Sequence, residues 1–280
     1  MTALFRAGLQ WRLLLVAALF VFGPFTAAFA QDKPVLPDEE RYGRPSDDFS
    51  LRFCVDPRDP GWMFDQAMGE AIAGALLLEP KVHVITDTMV TADFDDIYRH
   101  LLGDCSVYFG FKLIAGGYPD WVTVTRAYYQ TGYVLVAKAP APARLADIPP
   151  HTALGASMGS TADFRLIQYN NSLPATQRWR RFPMGSDEQA LQAVVDDGVA
   201  AALVWAPSWF ALSKTHPEFA ALETVAPEPL TIPPMPVGAL LLSRDVFLRT
   251  NIDQAIGALI ADGTVAKLLA NQHMPGEAPH

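Results

Sequence analysis

The feature that most constrains this chain is strand–helix alternation in two blocks, separated by proline-rich passages at 138–150 and 227–236. In the first block 51–55 alternates as a strand, and Asp56-Pro57-Arg58-Asp59-Pro60-Gly61 is dense turn chemistry. Phe64, Met68, Ile72 and Leu76 then recur at helical spacing, followed by a strand at 81–85, a helix at 93–102 and a strand at 105–110. That order predicts a doubly wound parallel unit with right-handed crossovers. A further strand is expected over 128–137, just before the first proline-rich passage.

The second block repeats the logic. A strand at 152–156 leads to Gly159-Ser160-Thr161, which opens a helix, and Ser186 with Gln189 has capping-box spacing ahead of another. A strand at 200–205 closes the block, and the second passage returns the chain to a strand at 237–242 and helices at 244–261 and 264–271. A chain that leaves one unit and comes back builds a discontinuous lobe around a continuous one. The expected architecture is α/β and two-lobed: lobe one from 49–138 plus 237–280, lobe two from 139–236, with an interlobe cleft that closes about a hinge.

Compartment follows from the first thirty residues. Arg6 and Arg12 precede an apolar run at 13–22, and the segment ends on Ala28-Phe29-Ala30, which is the pattern of a cleaved signal peptide. A run of about ten residues is too short to span a bilayer as a helix. Residues 31–48, with Pro34, Pro37 and Pro45, are expected to form a flexible leader, and the mature protein to be periplasmic, with no stable membrane insertion. The formal net charge of −9 becomes −11 once Arg6 and Arg12 are removed, which argues against nucleic acid and anionic lipid as partners. Cys54 and Cys105 are an even count in an oxidising compartment and read first as one disulfide closing a loop of about 50 residues. Free thiols are the alternative, as is a metal site with His83 or His100, although neither histidine has a recognised ligand spacing to a cysteine. If the first and third strands are neighbours, the two cysteines meet.

Ligands of open α/β sheets bind at the carboxyl edges of the strands. Lys112 lies past the third strand, Trp62 in the loop after the first, and Trp205 at the end of the lobe-two strand. Gly159, Ser160 and Thr161 present backbone N–H groups at a positive helix end. Lys112 opposite that helix start suits an anionic group, and Trp62, Tyr118 and Trp205 suit a flat one. The competing readings are a solvated lip for Lys112, and wall packing for Trp205 and Trp209. No nucleophile motif or metal-binding signature stands out: Asp93, Asp95 and Asp96 read as a helix start, and the histidines are scattered. No cofactor is expected and a monomer is.

Four passages resemble family 3 of the bacterial solute-binding proteins. They are Leu51 to Val55 with its following helix, Ala127-Tyr128-Tyr129-Gln130-Thr131-Gly132-Tyr133-Val134, Gly159-Ser160-Thr161-Ala162-Asp163, and Ala261-Asp262-Gly263-Thr264. Together they extend over most of 49–274. The resemblance implies the type II periplasmic binding protein fold, a small ligand in the cleft and no catalysis. It also places the charged anchors of amino-acid binders near Tyr118 and Ala206, neither of which is charged, so common amino acids are not the expected ligands. Thr125-Arg126-Ala127-Tyr128-Tyr129, Leu203-Val204-Trp205-Ala206-Pro207 and the two cysteines are similar to the branch associated with quinoprotein alcohol dehydrogenases. That similarity implies an accessory role to a pyrroloquinoline-quinone-dependent methanol or alcohol dehydrogenase. The alternatives are the substrate-binding component of an ABC importer for a small solute that is not an amino acid, and a dehydratase-like enzyme, for which Asp65 and Glu70 are the nearby acid or base candidates.

Overall fold

The computed structural model describes residues 49–86 and 93–279. The expected signal peptide and leader lie outside the described residues. In chain order the elements are β1 (Ser50–Val55), α1 (Trp62–Ala75), β2 (Glu79–Val84), α2 (Phe94–Gly103), β3 (Val107–Lys112), β4 (Val122–Val124), β5 (Tyr129–Thr131), β6 (Tyr133–Ala137), β7 (Ala153–Ser157), α3 (Thr161–Ser172), β8 (Arg180–Met184), α4 (Asp187–Val195), β9 (Ala201–Trp205), α5 (Ala206–Ser213), α6 (Pro217–Ala220), β10 (Glu223–Val225), β11 (Met235–Leu242), α7 (Val246–Ala261) and α8 (Thr264–Gln272).

Two mixed sheets result. One has the order β2-β1-β3-β11-β4 with β5 also paired to β11, and the other the order β10-β6-β9-β7-β8. β1 is parallel to both β2 and β3, and the returning β11 is antiparallel to β3. The fold is therefore α/β and two-lobed, as expected. Adjacency of β1 and β3 brings Cys54 and Cys105 to a Cα separation of 5.6 Å, and they are bonded.

The strand expected over 128–137 is two strands. β5 belongs to the first sheet and β6 to the second, so the chain changes sheets at Gly132, ahead of the proline-rich passage. The reason is pairing: β6 runs against β9 from Tyr133–Trp205 to Ala137–Ala201, and the Gly132 carbonyl accepts the Ala206 N–H at 3.0 Å. β8, at the edge of the second sheet, was not foreseen, since Pro183 interrupts its sequence.

Each sheet buries what its period dictates. In the first lobe Phe53 of β1, Phe109 of β3 and Leu241 of β11 meet Phe64, Met68 and Ile72 of α1 and Ile256 of α7. α1 approaches β1 most closely at Gly69, where a Cβ would lie 2.5 Å from the Phe53 ring. In the second lobe the two faces of β6 separate by parity. Leu135 and Ala137 face a core with Leu166 and Trp179, while Val136 faces one with Leu191 and Val194.

Candidate functional site between the sheets

The carboxyl edges of β3 and β9 bring one lysine onto one tryptophan. Lys112 ends β3, and its Nζ sits 4.1 Å from the centroid of Trp205, the last residue of β9. Trp205 is 4% exposed and packs with the first lobe's core although its strand belongs to the second sheet. Its ring lies 5.0 Å from that of Tyr133, and Lys112 is 5.7 Å from the Tyr133 centroid. An ammonium over two aromatic faces is held by their quadrupoles. Among the described residues it makes no hydrogen bond and no ion pair.

Electrostatics around Lys112 comes from both lobes. Burial pulls the Lys112 pKa down, and the charges of Asp187 and Asp59 push it back up. Asp187 starts α4 in the second lobe. Burial raises its carboxyl, against the Ser208 hydroxyl, the Trp205 N–H and the Lys112 charge. Its Oδ2 accepts the Trp205 N–H at a long 3.4 Å, while Oδ1 is buried without a partner among the described residues. Asp59, in the turn after β1, is pushed up to about 6 by burial, opposed by the Gly61 N–H that it accepts at 2.7 Å and by Lys112. It lines a cavity of about 290 Å³ with Arg58, Tyr108 and Gly110.

Beneath this turn a buried network fixes the end of β3. Gly110 has φ +95°, and its N–H donates to Tyr128 Oη at 3.1 Å. Tyr128 in turn donates to Asp65 Oδ1 at 2.5 Å. Burial holds the Asp65 carboxyl well above its usual range, the nearby Asp59 adds to that, and the Tyr128 hydrogen bond opposes it.

The helix start at Ser160 forms as its sequence dictates, with the Ser160 side chain accepting the Asp163 N–H at 3.1 Å. Several of its donors already have partners within the protein. Gly159 N–H donates to Asp163 Oδ2 at 3.0 Å, and Arg181 holds both oxygens of the same carboxylate, at 2.5 and 2.7 Å. Tyr133 accepts from Thr161 and Ser160: burial pushes its phenol up, while hydrogen bonds from the Thr161 backbone and hydroxyl and from Ser160 pull it down. Gly159, Ser160 and Thr161 also line a cavity of about 720 Å³ with Phe164, Arg165 and Arg181.

The expected residues are thus placed in two groups. Lys112, Trp205, Ser160 and Thr161 are linked through Tyr133. Trp62 is half-buried against the first lobe's core, and Tyr118 donates to the Lys112 carbonyl at 2.6 Å while packing edge-on to Phe94. Lys112 and Tyr118 line a third cavity, of about 460 Å³, beside α2. Sequence reasoning missed Tyr133, Asp187 and Asp59. The signal available for Asp187 was its position after Ser186 at a helix start, and for Asp59 its turn at a strand's carboxyl edge.

No family model matches the chain, and no curated protein matches it. Solved structures do. The second substrate-binding domain of a putative amino acid ABC transporter from Streptococcus pneumoniae Canada MDR_19A superposes with a TM-score of 0.60 at 14% identity, over 79% of this chain and 98% of that one. An ancestral arginine-binding protein bound to arginine gives 0.54 at 20% identity, over 80% and 97%. An ancestral amino-acid-binding protein, described as a precursor of cyclohexadienyl dehydratase, gives 0.52 at 18%, over 80% and 95%. The likeness is one of fold: this chain has the two-lobed periplasmic binding protein architecture. Among the described residues no helix is long and apolar enough to cross a membrane.

Proposed function

We propose that this protein is a periplasmic, non-catalytic solute-binding protein whose lobes close on a small ligand held between Lys112 and Asp187. The observation that supports this reading is a pair of unmet demands at the meeting of the lobes. Among the described residues the Lys112 ammonium is stacked on Trp205 with no counter-ion in contact, and Asp187 Oδ1 is a buried acceptor with no donor. Buried polar groups left in that state cost free energy that a ligand carrying complementary groups recovers. The ligand class is a small molecule with an anionic or acceptor group for Lys112 and a hydrogen-bond donor for Asp187. In this reading Lys112 and Asp187 stand in for the charges absent at Tyr118 and Ala206, so a zwitterion joins a hydroxy acid in the ligand class, against the sequence-based expectation that amino acids do not bind.

Native mass spectrometry of the freshly purified protein identifies what it carries, and calorimetric titration of hydroxy acids, dicarboxylates and amino acids measures affinity. Saturable binding that Lys112→Met and Asp187→Asn each weaken supports the reading. Binding that ignores both substitutions removes it.

The partner we propose is a periplasmic pyrroloquinoline-quinone-dependent alcohol dehydrogenase, on the resemblance carried by Cys54, Cys105, Thr125 to Tyr129 and Leu203 to Pro207. An ABC permease is the other partner of this architecture. Gene deletion separates them: impaired alcohol-dependent growth with normal solute uptake supports the dehydrogenase, and lost uptake with dehydrogenase activity intact supports the permease. An enzymatic reading is favoured by one observation, the Asp59 carboxyl raised to about 6 on a cavity wall, which suits a general acid. Product formation from a bound hydroxy acid, abolished in Asp59→Asn, would establish it. Asp65 is buried under Tyr128, and Glu70 accepts from Gln66 on the exposed face of α1.

A further inference from the structure

We propose that His83, His100 and Asp104 form a binding site for a divalent transition-metal ion of the zinc or copper class, on the outer edge of the first sheet and separate from the cleft. His83 comes from β2, His100 from the last turn of α2, and Asp104 is the residue that caps α2. One ligand atom from each lies within 4.8 Å of the others. His100 Nδ1 is 2.7 Å from Asp104 Oδ2, and His83 Nε2 is 3.8 Å from the same oxygen.

Two imidazoles and one carboxylate are a donor set that suits Zn²⁺, Cu²⁺ or Ni²⁺ and suits calcium or magnesium poorly. In a tetrahedral site with bonds of about 2.0 to 2.1 Å, neighbouring ligand atoms sit roughly 3.4 Å apart. The present separations bracket that value, so small side-chain rotations convert the His100–Asp104 hydrogen bond into two metal bonds. The side chains are 43%, 23% and 41% exposed for His83, His100 and Asp104, which leaves the remaining coordination position open to water.

The surroundings favour a cation on one side and oppose it on the other. The carbonyl end of α2 points its negative dipole at the site. Arg52 brings a positive charge nearby, donating to the Gly103 carbonyl at 3.3 Å. A micromolar rather than nanomolar site is the consequence. The scaffold is rigid, because Cys105 follows Asp104 directly and is bonded to Cys54, which lies beside His83 in the β1–β2 register. A bound ion would therefore clamp the edge strand β2 to the C-terminal end of α2 next to the disulfide.

The test uses the full mature chain without an affinity tag, stripped with chelator and titrated with Zn²⁺ by calorimetry and with Cu²⁺ by electron paramagnetic resonance. The expected result is one equivalent per chain, nitrogen hyperfine structure on Cu²⁺, and at least tenfold weaker Zn²⁺ binding in each of His83→Ala and His100→Ala. His216→Ala, on the second lobe, should bind as the parent does. Asp104→Asn keeps the shape and should weaken binding with an unchanged melting temperature, which separates ligation from folding. Absence of saturable binding, or affinity that changes less than twofold in both His83→Ala and His100→Ala, overturns the proposal.

Discussion

Lys112 Nζ lies 4.1 Å above the ring of Trp205, so a cation from the first lobe rests on an aromatic side chain from the second sheet. Burial lowers the lysine pKa and disfavours its charge, while Asp187 and Asp59 support it. Replacing it with methionine keeps the stacking volume and removes the charge. Lys112→Met is expected to leave the melting temperature within a few degrees of the parent, because replacing a buried charge by an apolar side chain of similar volume is often close to neutral. Affinity for an anionic ligand should fall at least tenfold, the loss of about one charge-assisted hydrogen bond. Calorimetry on both proteins reads the difference.

Asp59 makes stability depend on pH. Its folded pKa of about 6 stands above the ordinary carboxyl value of 3.8, so the native state holds the proton more tightly. The stabilisation from that proton is fully present below about 3.8 and is lost as pH rises through about 6. Asp59→Asn retains an oxygen for the Gly61 N–H and removes the ionisation. Urea titrations should show the variant gaining about 1 to 3 kcal/mol over the parent at pH 8, with the gain shrinking toward pH 4.

Gly110 is expected to resist substitution. Its φ of +95° strains an L side chain, and a Cβ there would lie 2.9 Å from Asp65 Oδ2. Gly110→Ala should cost about 2 to 4 kcal/mol, since it pushes into the buried Tyr128–Asp65 pair and displaces the Gly110 N–H from Tyr128. Chemical denaturation measures the cost, and Gly74→Ala on the exposed side of α1, where a Cβ has open space, is the control.

The Cys54–Cys105 disulfide joins positions 51 residues apart. Denatured, unreduced protein should therefore show no titratable thiol. Reduction should lower stability by roughly 4 kcal/mol on the chain-entropy treatment, read as a shift in the urea midpoint.

Local signals carried far in this chain. Ser160 and Ser186 cap α3 and α4, accepting the Asp163 and Gln189 N–H groups as their spacing implies. Asp93 does the same for α2 through Asp96. The spacing of Phe64, Met68 and Ile72 predicted the buried face of α1. Short edge elements were less legible. β4 and β10 span three residues each, too few for a period-2 pattern to register, and Pro183 masked β8.

The sequence by itself determined the order of most major strands and helices and the buried face of α1, and it favoured a bond between its two cysteines over free thiols, because these follow from periodicity, capping and strand adjacency within about fifty residues. Tertiary structure decided where the chain changes sheets. Gln130-Thr131-Gly132 interrupts the apolar pattern without saying that the chain changes sheets there, which it does because Tyr133 pairs with Trp205 and Tyr129 with Val237. It also turned Trp205 into the first lobe's core, set Asp187 beside Lys112, and gathered His83, His100 and Asp104 from two elements onto one edge. Each of these joins residues whose partners are fixed by packing between elements, an interaction that no local sequence pattern encodes.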